Sequence, residues 1–338
     1  MQFIDRRRVM RQGAGILIAG LMAGAGLARG TAVAASGKLV LYTSQPDKIA
    51  AETIAGFNKH EPQVEVEIFR SGTTEIMNKI EAELVGGAPH ADVLFIADAV
   101  SMEQLKADGR LAAYPGADLR AFPAGTYDPD KTYFGTKLIT TGIIYNTAAP
   151  FKPASWKDLL KPEAKGQVVL PSPLYSGAAA IHMAAIEAMP SLGTSYYMQL
   201  AANGTDAAKG NGAVVTAVAG GQKMYGMIVE FMALNAKAKG SPVDFVFPSE
   251  GVSAVTEPVA ILKTARNPEA ARALVDFILS KEGQELAVAQ GFLPARTDVA
   301  PPAGFPKPAD LHIMPVDLAK TAADADLLKR QFSDLFGG

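Results

Sequence analysis

The 338-residue chain contains no cysteine. That single absence excludes disulfide staples, thiolate metal ligands and a cysteine nucleophile. Its four histidines, His60, His90, His182 and His312, stand alone, without HExxH or similar ligand spacing, so no resident metal is expected. Neither charge dominates: the formal net charge is −2 and no basic stripe occurs, which removes any general attraction to nucleic acid. The sequence also lacks a GxSxG nucleophile elbow, a Walker A loop and a GxGxxG turn. These absences point away from an enzyme and away from a cofactor, although a dispersed carboxylate pair would still permit a secreted hydrolase.

What is present suits two folded bodies. Apolar residues make up 49% of the chain and charged residues 20%, enough to build full cores, so disorder is excluded for the whole. The length divides naturally into two lobes of roughly 130 to 160 residues. Residues 1–34 differ from the rest. Arg6, Arg7, Arg8 and Arg11 precede a glycine-broken apolar stretch from Ile16 to Leu27, and Ala32-Val33-Ala34 supplies a small-x-small cleavage pattern. That order defines a secretory signal peptide, and the apolar part is short for a membrane span of ~20 residues. The arginine group resembles a twin-arginine export motif, with Asp5 where that motif prefers Ser or Thr. Removal of the leader leaves 27 basic and 33 acidic residues, and no later apolar run is long enough to embed the mature chain in a membrane.

Downstream, strand and helix signals alternate. Leu39–Tyr42 reads as a buried strand, Ile49–His60 as a helix, Val64–Phe69 as a half-exposed strand, and Ser71-Gly72-Thr73-Thr74 opens a helix to about Leu84. Ala91–Ile96 is a third strand, so the chain is α/β with a largely parallel sheet. Leu138–Tyr145, Gln167–Leu170, Val243–Phe247 and Val259–Lys263 return as strands. Ser155 caps a short helix, Ala178–Ala188 is a longer one, Gly212–Ala219 and Tyr225–Ala236 read as helical or mixed, and Pro268–Leu279 and Ser280–Gln290 are helices.

Three segments share one device, an apolar strand ending in small hydroxyl residues and glycine before a helix. They are Tyr42-Thr43-Ser44-Gln45, Arg70-Ser71-Gly72-Thr73-Thr74 and Tyr175-Ser176-Gly177. The crevice beyond the carboxyl ends of such strands is the usual ligand site of an open α/β sheet. Helix starts there offer free N–H groups and partial positive charge to an anion. Taken singly each cluster reads as an ordinary helix cap; taken together, in a secreted chain, they suggest a binder of an oxyanion.

Several stretches resemble the bacterial extracellular solute-binding proteins of ABC importers, in the branch of ferric-iron, phosphonate and sugar-phosphate binders. They are LVLYTSQPDKIAAETIAGFNKHEP, VEVEIFRSGTTEIMNKIEAE, ADVLFIADAVSMEQLKADGRL, GIIYNT, NPEAARALVDFILSKEGQE and GFLPARTDV. The resemblance implies a type II periplasmic-binding-protein fold: two α/β lobes joined by crossover hinge strands that close around a solute. The implied division is 38–140 plus 252–300 for the first lobe and 141–251 plus 301–338 for the second. Leu138–Tyr145 and the Val243–Val259 region are the implied crossovers. A monomer that delivers a small organic anion to permease subunits is the implied partner scheme, with a sensor role on a membrane receptor reading the same closed lobes.

Ferric-binding relatives use a histidine after the first strand, a glutamate after the third and a tyrosine pair in the second lobe. Here those places read Thr43-Ser44-Gln45, Ala97-Asp98 and Met227-Ile228-Val229-Glu230, so iron is disfavoured. Tyr196-Tyr197 lies too early and belongs to packing. The resemblance therefore implies a phosphonate or phosphate ester held by Thr43, Ser44, Ser71, Gly72, Thr73, Thr141, Ser176 and Gly177. Arg70 adds charge, Tyr42, Tyr145, Tyr175 and Tyr225 wall the cleft, and Asp98 and Glu230 accept from an amine or hydroxyl elsewhere on the solute.

Overall fold

A computed structural model of the chain describes residues 35–303, 305–306 and 310–337. The leader expected at 1–34 lies outside the described residues. The first half opens with β1 (Gly37–Thr43), α1 (Asp47–Phe57), β2 (Val64–Arg70), α2 (Thr73–Val85), β3 (Val93–Phe95), α3 (Ala99–Ala107) and β4 (Tyr133–Gly135). β1 runs parallel to β2 and β3, and its five C-terminal residues are buried because it has a neighbour on both sides. β2 forms one edge of this sheet, and Glu65 and Glu67 place charge along it, which discourages pairing with another chain.

β5 (Lys137–Asn146) follows and belongs to a second sheet. That sheet also takes in β6 (Val168–Pro171), β7 (Asp206–Ala208), β8 (Tyr225–Val229), β9 (Val243–Val246), β10 (Ser253–Val255) and later β12 (Leu293–Pro294). Between these strands lie α4 (Gly177–Ala188), α5 (Ser195–Ala202), α6 (Asn211–Ala219) and α7 (Glu230–Ala238). The segment read as helical or mixed is a strand to Val229 and a helix from Glu230. β11 (Pro258–Ile261) then rejoins the first sheet, antiparallel to both β3 and β4. α8 (Pro268–Leu279), α9 (Lys281–Ala289), α10 (Leu318–Ala323) and α11 (Ala325–Phe336) complete the chain. Local chemistry sets several boundaries: Asn267 caps α8 ahead of Pro268, Ser280 caps α9, and Ser155 with Asp158 forms a capping box at the 3-10 turn Trp156–Leu160.

The chain changes sheet at Thr136, at Thr256-Glu257 and once more on the way to β12, and the first two crossings lie side by side. The two crossings are tied together: the Thr136 N–H donates to Thr256 O at 3.0 Å, and Thr136 Oγ1 donates to Glu257 O at 2.8 Å. Gly135 is needed there, because a Cβ would lie 2.4 Å from Thr126 O and 2.8 Å from Thr256 Cβ. β9, expected inside a crossover, instead pairs with β5 within the second sheet. α11 packs on α4 and α5, whereas α10 lies against α3 of the first half rather than staying with the second. Separate apolar clusters form around Leu39, Phe57, Phe95 and Leu274 in the first half and around Trp156, Ile186, Tyr196 and Phe332 in the second. Among the described residues no helix is long and apolar enough to cross a membrane.

Candidate functional site

The two sheets meet across a cavity of about 380 Å³. It collects the starts of five helices, represented by Pro46-Asp47, Gly72-Thr73, Ser176, Gly210-Asn211-Gly212 and Phe231. Four of them, α1, α2, α6 and α7, have no side-chain cap. Uncapped first-turn N–H groups and the positive ends of helix dipoles attract an anion. Arg70 and Lys209 add cationic side chains; Asp47 and Glu257 also line the wall.

Tyr175 organises this end of the cleft. Its ring packs against Gly72 from the first half and Gly210 from the second. A Cβ at Gly72 would fall 2.5 Å from the ring and from Tyr175 O, and one at Gly210 would fall 2.9 Å from the ring. Arg70 donates through Nη1 to the Tyr175 hydroxyl at 3.1 Å and through Nε to Gln45 O at 2.9 Å. The Lys209 ammonium stands 4.7 Å from the ring centroid and 3.2 Å from Glu75. Asn211 donates to Ser176 Oγ at 3.2 Å and accepts from Val229 N at 3.2 Å, locking the starts of α4, α6 and α7 together.

Of the residues expected at the site, Ser44, Arg70, Gly72, Thr73, Tyr175 and Ser176 line this cavity. The others do not, for identifiable reasons. Tyr42 points into the core beside Phe69 and donates to Glu83 at 2.8 Å; burial, helped by that bond, pushes its hydroxyl up to about 12. Thr43 is fully buried and donates to Phe95 O at 2.8 Å. Ser71 donates its hydroxyl to Glu75, holding that carboxyl below its usual range with help from Lys209. Thr141 is buried in the middle of β5 between β8 and β10. Tyr225 stacks on Phe151 and bonds its backbone, and Tyr145 is likewise core.

Asp98 and Gly177 line a different hollow, of about 390 Å³, beside α3, α10 and α11. Asp98 caps α3 through Val100 N and Ser101 N; burial raises its carboxyl against those bonds. Glu230 is fully buried and accepts from Thr140 N at 2.6 Å, while its Oε1 and the Thr140 hydroxyl have no partner among the described residues. Burial pushes the Glu230 carboxyl up to about 8. Tyr196 and Tyr197 are packed in the second core.

Sequence reasoning passed over Lys209-Gly210-Asn211-Gly212 and Glu257. The first repeats the small-residue-before-helix device already used to find the other clusters, and so carried a usable signal. Nothing in Val255-Thr256-Glu257-Pro258 marks a cavity residue before the crossings are known. Among the described residues no group of three or more His, Asp or Glu side chains gathers as a metal site.

Two α/β bodies joined by paired crossings, with convergent helix starts between them, define a cleft-type solute-binding protein of the type II periplasmic fold. Residues 88–321 match the family model described as bacterial extracellular solute-binding protein. The chain belongs to that family, the receptors of ABC importers. It is 30% identical over 280 residues to an uncharacterized protein of Haemophilus influenzae, covering 79% of this chain and 80% of that one. It is 26% identical over 266 residues to the Fe(3+)-binding periplasmic protein of Serratia marcescens, covering 75% and 77%. Among solved structures, the periplasmic binding protein AfuA of Actinobacillus pleuropneumoniae, with exogenous fructose-6-phosphate bound, superposes with a TM-score of 0.81 at 25% identity, covering 89% of this chain and 98% of that one.

Proposed function

We propose that this chain is the periplasmic receptor of an ABC importer for a small organic anion carrying a phosphate or phosphonate group. The lobes close on the solute as a monomer and present it to the permease, and residues 1–34 direct export. The observation that carries this reading is the convergence of five helix starts from both lobes, four of them uncapped, with Arg70 and Lys209 on one cavity. Such a site supplies fixed N–H donors to several oxygens of one anion at once. Ser44, Arg70, Gly72, Thr73, Tyr175, Ser176, Lys209, Gly210 and Asn211 form the cradle. The fructose-6-phosphate on AfuA makes sugar phosphates the first solutes to try.

The Serratia relative raises ferric iron as the second reading. Ferric iron favours hard anionic oxygen donors, and the cavity offers one tyrosine, engaged by Arg70, with the carboxylates Asp47 and Glu257. The donor set suits an oxyanion better. A thermal-shift screen of residues 35–338 against sugar phosphates, aminoalkylphosphonates, inorganic phosphate, sulfonates and ferric citrate tests the choice, because a ligand selective for the native state raises Tm with its concentration. A rise with phosphorus-bearing organic anions is the expected result. A rise with ferric citrate alone overturns it, and turnover of a phosphate ester would replace receptor by hydrolase.

A further inference from the structure

Glu257 is placed where the cavity and the hinge meet. It lies in the second crossing, is 3% exposed, and lines the binding cavity. Its backbone φ is +36°, a region that residues other than glycine rarely adopt. Its Oε2 accepts from the Lys137 ammonium at 2.7 Å and from Gln45 Nε2 at 3.2 Å, while its carbonyl accepts from Thr136 of the other crossing. Lys137 is equally buried, with its ammonium 4.0 Å from the Phe292 ring centroid and 4.9 Å from that of Phe95. Glu257 Oε1 accepts no hydrogen bond among the described residues.

Nothing in the anion cradle uses this carboxylate. Beside a phosphate it would be repulsive, so it faces another part of the solute. Lys137 already neutralises it, so a second cation there would meet the lysine ammonium; a neutral donor would not. We infer that Glu257 reads a hydroxyl group of the solute. The inference rests on the anion-receptor reading and narrows it to hydroxylated phosphate or phosphonate compounds.

A site that presents a buried acceptor discriminates against analogues that leave it unpaired. Isothermal titration of residues 35–338 with sorbitol 6-phosphate, hexyl phosphate and 6-aminohexyl phosphate reads this directly. Wild type should bind the polyol about tenfold or more tighter than either of the others. In the double variant E257L/K137M, which removes the acceptor and both buried charges together, the ratio of hexyl phosphate to polyol dissociation constants should shrink to about threefold or less. Should that variant not fold, wild type titrated with 6-hydroxyhexyl phosphate and 6-methoxyhexyl phosphate carries the same comparison, because only the hydroxyl donates. Equal wild-type affinities, a preference for the amine, or a polyol preference that survives in a folded variant overturns the inference. Failure of every phosphate probe to bind wild type defeats the anion reading itself, and this inference with it.

Discussion

Replacing Glu230 by Gln should stabilise the protein at neutral pH, and the gain should grow with pH. Glu230 is fully buried, one of its oxygens has no partner among the described residues, and burial raises its carboxyl from 4.5 to about 8. In the unfolded chain the group ionises near its ordinary value, whereas the native state keeps its proton until about pH 8. Below pH 4.5 both states hold the proton and the linkage is silent. Between 4.5 and 8 the unfolded state alone loses it, so native stability falls as pH rises, by at most about 1.4 kcal/mol per unit. At pH 7 the accumulated penalty is of order 3 kcal/mol, and glutamine, which cannot ionise, escapes it. Urea unfolding of wild type and E230Q at pH 5, 6, 7 and 8 checks this. The two curves should nearly meet at pH 5 and separate steadily above it, while affinity for the solute stays unchanged because Glu230 does not line the cavity. Curves that stay parallel across the range would refute the burial argument; a large loss of affinity would return Glu230 to the binding site.

G72A places a methyl group 2.5 Å from Tyr175 O and ring, an overpacking of about 1–3 kcal/mol directed at the contact between the lobes. Titration should show roughly fivefold to 150-fold weaker solute binding, with small-angle scattering reporting a more open ensemble. R70Q removes a charge-assisted contact to the Tyr175 hydroxyl and should weaken anion binding by about tenfold to 100-fold, with a shallower dependence of affinity on salt. His182 is buried beside Trp156 and Ser253, and burial lowers it from 6.5 to about 3. The native ring stays neutral while the unfolded one protonates, so stability present above pH 6.5 is lost as pH falls toward 3, and H182Q should flatten that acid limb in thermal melts.

Strand–helix alternation, the starts of α2 and α4 and the cap of the Trp156–Leu160 turn were legible in the sequence, because each rests on neighbours within a few residues. Binary patterning, turn residues and capping side chains act at short range. The strand-end clusters also located six cavity residues, since a helix start after a strand points its free N–H groups at the sheet's carboxyl edge wherever it occurs.

Tertiary structure alone decided which way each side chain in those clusters turns. Tyr42 and Thr43 precede Ser44 on one strand, yet their side chains reach Glu83 and Phe95 O while Ser44 lines the cleft. Ser71 sits beside Gly72 but is claimed by Glu75 one helical turn on. The chain positions of Asp98 and Glu230 suggest acceptors for the solute, yet one caps α3 and the other is sealed behind Thr140. The acceptor that does line the cavity, Glu257, meets Lys137 across 120 positions of sequence only because the chain crosses between the sheets twice at the same place. Local sequence chemistry specifies helix starts and strand faces, but a binding cleft between two bodies is set by non-local pairing, and no short-range signal encodes that.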